Sequence, residues 1–126
     1  RQQKVQKQRK RHFLLKKHFQ LLQKTEKTIQ YIQKFLQNYP KKEYILKGNI
    51  EKNTYSLIEL IFSYQINHTE RIRQKYLKDF LIQLSMLNFY MEISFNKKYI
   101  STRQYEVIGK FLIEIRKITY GILKSE

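Results

Sequence analysis

LLKKHFQLLQKTEKTIQYIQKFL, residues 14–36, is the stretch whose periodicity decides the fold. Plotted at the helical step of about 100° per residue, Leu14, His18, Leu21, Leu22, Ile29, Ile32 and Leu36 fall on one arc about 120° wide. Lys16, Gln20, Gln23, Lys24, Lys27, Gln30 and Lys34 occupy the other side. An apolar stripe of that width on a polar cylinder is an amphipathic helix seeking a partner, not a strand.

Upstream lies RQQKVQKQRKRHF, residues 1–13, in which Val5 is the one apolar side chain before Phe13. The first carboxylate of the chain is Glu26, so residues 1–24 hold nine Lys or Arg with no local acid. Residues from about Phe13 onward continue the apolar arc. Residues 1–11 have almost nothing to bury, and are expected to be a helical extension that frays without a ligand.

Downstream, Asn38-Tyr39-Pro40 ends the first segment, because Pro40 biases Tyr39 away from helical geometry and itself suits the first turn of a new helix. A second break falls at Asn67-His68-Thr69-Glu70, where Asn67 and Glu70 have the spacing of a capping box. A third lies at Asn96-Lys97-Lys98, after which Ser101-Thr102-Arg103-Gln104 fits the same box. The result is four helices, at about 5–38, 41–66, 69–95 and 101–123. The second carries Leu46, Ile50, Leu57, Ile61 and Tyr64 at helical steps; the third Tyr76, Phe80, Leu84, Leu87 and Met91; the fourth Tyr105, Ile108, Leu112, Ile115 and Ile122. Four amphipathic helices on short loops bury their stripes against one another, so the fold class is all-α, an antiparallel up-down-up-down four-helix bundle, as one domain over residues 1–126. A first helix of about 34 residues is about 51 Å long against about 35 to 41 Å for the others, so its basic end overhangs.

Composition narrows the function. The chain has 126 residues, 26 Lys and Arg against 10 Asp and Glu, and a formal charge of +16. Lys-rich, Ala-free usage fits an A/T-rich coding bias, but such a bias raises Glu as readily as Lys. The sign imbalance therefore points to a polyanionic partner. With 3 Gly, 1 Pro and no Cys, long helices are favoured, and disulfides, thiolate metal sites and a Cys nucleophile are excluded. No apolar run approaches the ~18 residues of a membrane span, and no segment has the pattern of a signal peptide. A soluble protein in the cytoplasm, without a membrane partner, is expected.

Catalysis has little to work with. The carboxylates are scattered singly, with no pair at three- or four-residue spacing and no Glu-x-x-His, so no acid-base pair or bundle metal site is expected on one helix. His12 and His18 are six residues apart, not the four that share a helical face. His18 lies on the apolar arc as a core or interface residue, and His68 sits in a loop. No glycine-rich phosphate loop is present. A non-enzyme without cofactor or metal is the expectation.

Binding surfaces are ranked by whether acids cancel them. In the fourth helix Arg103, Lys110, Lys117 and Lys124 recur every seven residues, but Glu106 and Glu114 lie among them, the pattern of a solvated salt-bridged face. The first helix has no such cancellation. Phe13 and Tyr31 lie on its polar side near Lys17, Lys24 and Lys27, where they either stack on unpaired bases or pack against another helix or subunit.

Particular stretches resemble a known family. Tyr39-Pro40-Lys41-Lys42-Glu43-Tyr44, followed by Leu46, Gly48 and Ile50, resembles the start of helix 2 in the four-helix bundles that include the accessory variability determinant (Avd) proteins of diversity-generating retroelements. Ile100-Ser101 through Gln104-Tyr105-Glu106 resembles the start of helix 4. Glu114-Ile115-Arg116-Lys117-Ile118-Thr119-Tyr120-Gly121-Ile122-Leu123-Lys124-Ser125 resembles the family's close. The match spans about residues 39–125. Tyr120 stands where the family has a small residue before Gly121, and Ile122 replaces its usual Trp, which bears on close helix packing. The sister branch, encoded by intervening sequences of 23S rRNA genes, has a proline-containing turn in helix 2; Ile50 to Ile66 has no Pro, which favours the retroelement branch.

The resemblance implies a homopentameric barrel with a basic surface. It also implies binding of retroelement RNA and DNA, and association with a reverse transcriptase in mutagenic cDNA synthesis. Nucleic-acid contacts are expected at Arg9, Lys10, Arg11, Lys16, Lys17, Lys24, Lys27 and Lys34 of the first helix and at Lys41, Lys42, Lys47 and Lys52. The alternative is a structural or interaction bundle of the 23S intervening-sequence type that meets an acidic partner or anionic surface.

Overall fold

The apolar arc of residues 14–36 becomes the buried side of a longer helix in the computed structural model, which describes residues 1–125. Helix α1 spans Gln2–Leu36, α2 Tyr44–Ile66, α3 Glu70–Asn96 and α4 Thr102–Ser125, with a 3-10 turn at Lys41–Glu43 between the first two. No described residue lies in a strand. Among the described residues the backbone of each helix approaches those of two neighbours, in the cyclic order α1, α2, α3, α4, with α2 and α3 sharing the broadest interface.

Contacts at the two ends fix the alternation of direction. Near one end His18 of α1 meets Tyr64, close to the last residue of α2, and Arg73 at the start of α3 lies over the same Tyr64 ring. Near the other end Glu43, between α1 and α2, bonds Lys97 and Tyr99 between α3 and α4. Up-down-up-down order follows.

One continuous core runs through all four helices, from Leu21 and Ile32 of α1 through Ile50, Leu57 and Tyr64, then Phe80, Leu84 and Met91, to Ile108, Ile115 and Ile122. Each such side chain, removed fully from water, contributes about 1.5–3 kcal/mol. Ile122, where the resembling family has Trp, is fully buried, whereas Tyr120 points outward. A Cβ at Gly121 would meet nothing within 4 Å, so no close helix approach inside the chain demands glycine there.

Three local expectations meet different outcomes. The Ser101/Gln104 box forms as expected: Ser101 N–H donates to Gln104 Oε1 at 2.8 Å and Gln104 N–H to Ser101 Oγ at 3.1 Å. The Asn67/Glu70 box does not, because Asn67 Nδ2 turns back to donate to the Ser63 carbonyl at 2.8 Å. That carbonyl is one of the four orphan acceptors at the end of α2, so the side chain closes the preceding helix instead of opening the next. Residues 1–11, expected as a helical extension, are helical from Gln2 onward.

Helix α3 ends in a motif that composition does not announce. Lys98 adopts φ 64°, while Lys98 N–H donates to Phe95 O and Tyr99 N–H to Ser94 O, each at 2.9 Å. These are the two bonds of a Schellman ending, with a lysine at the position that glycine usually takes.

Candidate nucleic-acid interface

The α1 stripe buries from Leu21 onward, and residues 1–13 are exposed throughout. At 1.5 Å per residue the 35 residues of α1 span about 52 Å, against about 34 Å for the 23 residues of α2. The excess projects past the turn between α2 and α3. Six Lys or Arg lie in that exposed segment, with no carboxylate among them.

At the root of the overhang is a polar cluster. His18 Nε2 and the Tyr64 hydroxyl are hydrogen-bonded at 2.6 Å, with the two rings edge to face at 4.8 Å. The Arg73 guanidinium lies 4.4 Å from the centre of the Tyr64 ring, a cation over a π face. Burial, and after it the Arg73 charge, lower the His18 pKa to about 4. The imidazole is therefore neutral at neutral pH and braces Tyr64 without adding charge. Lys10, Leu14, His68, Glu70 and Arg73 line a groove of about 240 Å³ just above this cluster.

The expected contact residues divide into two groups. Arg9, Lys10, Arg11 and Lys16 are exposed near the overhang, with Lys17 partly covered. Lys34, Lys41 and Lys42 are exposed toward the opposite end, Lys52 is exposed further along α2, and Lys47 is half-buried in a groove beside Glu51. Lys27 is exposed between the groups. Lys24 differs from the expectation that the early cations meet no acid: its ammonium pairs with Glu114 of α4 at 2.7 Å. Glu114 thus serves the α1–α4 seam rather than only the basic stripe of its own helix.

The aromatic candidates also separate. Tyr31 packs edge to face on Phe35 and on Phe111 of α4, so it is a helix-packing residue. Phe13 stays 41% exposed with the Lys17 ammonium 5.5 Å from its ring centre. Sequence reading missed Lys7, His68 and Arg73. Lys7 could have been found by extending the apolar arc upstream; the other two arrive through tertiary register alone.

Two apolar faces lie on the flanks. Leu15 and Phe19 share the helical phase of Gln33 and Gln37, which line the α1–α2 groove with Tyr55, and Phe62 and Ile66 continue the outward side of α2. Ile82 and Phe89 of α3 and Ile113 and Tyr120 of α4 are also exposed, each pair at seven-residue spacing, and Ile82 lines a groove with Ser56, Glu59 and Leu60 of α2. Among the described residues no group of His, Asp and Glu is arranged to hold a metal.

A sequence model of the bAvd-like family matches residues 19–126. The chain belongs to the bAvd-like family. The match takes in most of the bundle and leaves the first 18 residues, the whole overhang among them, outside it. A comparison with curated proteins gives no match. Among solved structures, this bAvd-like chain is similar to a protein of unknown function from the S23 ribosomal protein family of Bacteroides thetaiotaomicron VPI-5482, with TM-score 0.76 and 19% identity over 86% of this chain and 98% of that one. At that identity the likeness concerns the fold.

Proposed function

We propose that this bAvd-like chain is a non-catalytic accessory protein of a diversity-generating retroelement. It binds template RNA and cDNA through the basic surface of α1 and the Lys41, Lys42, Lys47 and Lys52 region, and associates with the reverse transcriptase as a homopentamer in the cytoplasm. The observation that carries the binding part is the exposed overhang, whose six Lys or Arg, five on α1 and Arg1 at its cap, have no acid among them. Phosphates neutralised by such residues release condensed counterions, which makes binding favourable and salt-sensitive.

The assembly part is supported by the apolar flanks. The exposed apolar residues of α1 and α2 differ from those of α3 and α4, so contact of one set with the other in a second copy is head to tail, an arrangement that closes into a ring when the rotation per step allows. Family membership supports the reverse transcriptase and the number five. The non-catalytic reading is supported by open grooves and by carboxylates engaged in structural pairs such as Glu43 with Lys97 and Glu114 with Lys24.

Light scattering with RNA binding on the same preparation tests this. The proposal expects a mass about five times the 15.6 kDa of the chain and retention of RNA at about 50 mM salt with strong loss by about 200 mM. A monomer that ignores RNA at low salt contradicts it.

A further inference from the structure

The core-facing line of α1 changes character where the bundle ends. Leu14, His18, Leu21 and Thr25 mark that line within the bundle, and stepping back by three, four and seven residues from Leu14 and His18 reaches Lys7, Lys10 and Arg11. Cations thus stand where apolar side chains would stand if the overhang packed on more protein. They look down over the end of the bundle, formed by the α2–α3 turn with His68 and Arg73. The Lys10 side of this corner is seen directly in the groove that Lys10 and Leu14 share with His68, Glu70 and Arg73.

We infer that this inward-facing corner, with Lys7, Lys10 and Arg11 as one wall and His68 and Arg73 as the floor, is the main seat for a single strand of RNA, ahead of the outward face of α1. The inference rests on the nucleic-acid reading above and adds the place. Two walls at an angle engage phosphates of one strand from two sides, which a single exposed helix face cannot do. Arg73 is preset for this by its stacking on Tyr64, itself held by His18. Among the described residues no ion pair occupies Lys7, Lys10 or Arg11. Glu70 is the one carboxylate in the corner groove and opposes an anionic ligand. Phosphate contact of this kind positions a strand without reading its bases.

The test compares two triple variants of the full chain with equal loss of charge. One is Lys7→Gln, Lys10→Gln, Arg11→Gln; the other is Arg103→Gln, Lys110→Gln, Lys117→Gln on the exposed α4 stripe. Binding of a labelled oligo(U) is measured by anisotropy over a salt series, with thermal melts as control. The corner triple is expected to lose roughly tenfold or more in affinity and to flatten the log–log salt slope by about 2, with its melt unchanged. The α4 triple is expected to lose less than about threefold. Glu70→Gln is expected to tighten binding. Equal losses in the two triples, with the parent binding well, overturn the corner and leave the nucleic-acid reading standing. Absence of parent binding at low salt overturns both. Displacement of oligo(U) by polyglutamate at equal charge overturns the corner as an RNA seat and assigns it to an acidic protein.

Discussion

The two ends of the bundle differ in how much of their charge is paired. At the end holding the α1–α2 and α3–α4 connections, Glu43 accepts bonds from Lys97 at 2.8 Å and from the Tyr99 hydroxyl at 2.6 Å, which hold its carboxyl below the usual range. Tyr39 lies against Tyr99, Ile100 is buried, and the Ser101/Gln104 box opens α4. At the other end the overhang carries six Lys or Arg and no acid. Charge paired within the chain builds architecture; charge displayed on an exposed helix without a partner is available for an anion.

The contrast breaks most visibly if the overhang is removed. Deleting residues 1–11 is expected to lower RNA affinity by roughly a hundredfold at about 50 mM salt. The melting temperature should hardly move, because residues 1–13 are exposed. Filter binding and a calorimetric scan on the same sample check both halves.

The root of the overhang is more costly to disturb for stability. Tyr64→Phe keeps the ring under Arg73 but removes the hydroxyl bonded to His18, so urea unfolding should show a loss of about 1 kcal/mol. Acid should act at the same place. Because the His18 pKa falls from 6.5 to about 4 in the folded chain, its contribution is intact above about pH 6.5 and is lost as pH falls toward 4, while the unfolded chain takes up the proton. The loss is on the order of 1 kcal/mol once solvent screening of this partly exposed ring is allowed for. Glu43, also depressed, acts only below about its ordinary value of 4.5. Urea midpoints at pH 7 and pH 5 therefore isolate His18, and His18→Gln should remove the difference.

Smaller effects belong to the paired end. Ser101→Ala removes one half of a reciprocal cap and should cost about 1 kcal/mol, without changing RNA affinity. Lys98→Gly relieves a side chain at φ 64° and should gain about 0.5–1 kcal/mol by the same measurement.

Much of this architecture was legible in the residues. The phase of Leu14, Leu21, Ile29, Ile32 and Leu36 gave the first helix, and Pro40 and the Ser101 box gave two of the boundaries, because these signals act within one turn of chain. Asn67 was misread since one amide can serve either neighbouring helix, and the choice depends on which backbone group is left wanting. The Lys24–Glu114 pair joins residues 90 apart in sequence, which no local spacing reveals. The candidate site divides in the same way. Lys10 and Arg11 were visible as excess charge, but their facing over His68 and Arg73 depends on how α1 registers against α2 and α3.

The most direct test of the account is the salt dependence of RNA binding by the full chain. Six overhang cations in contact with phosphates predict a log–log slope of about −4 for a single strand. A slope near zero, or no binding at about 50 mM salt, would contradict a basic overhang built to hold nucleic acid.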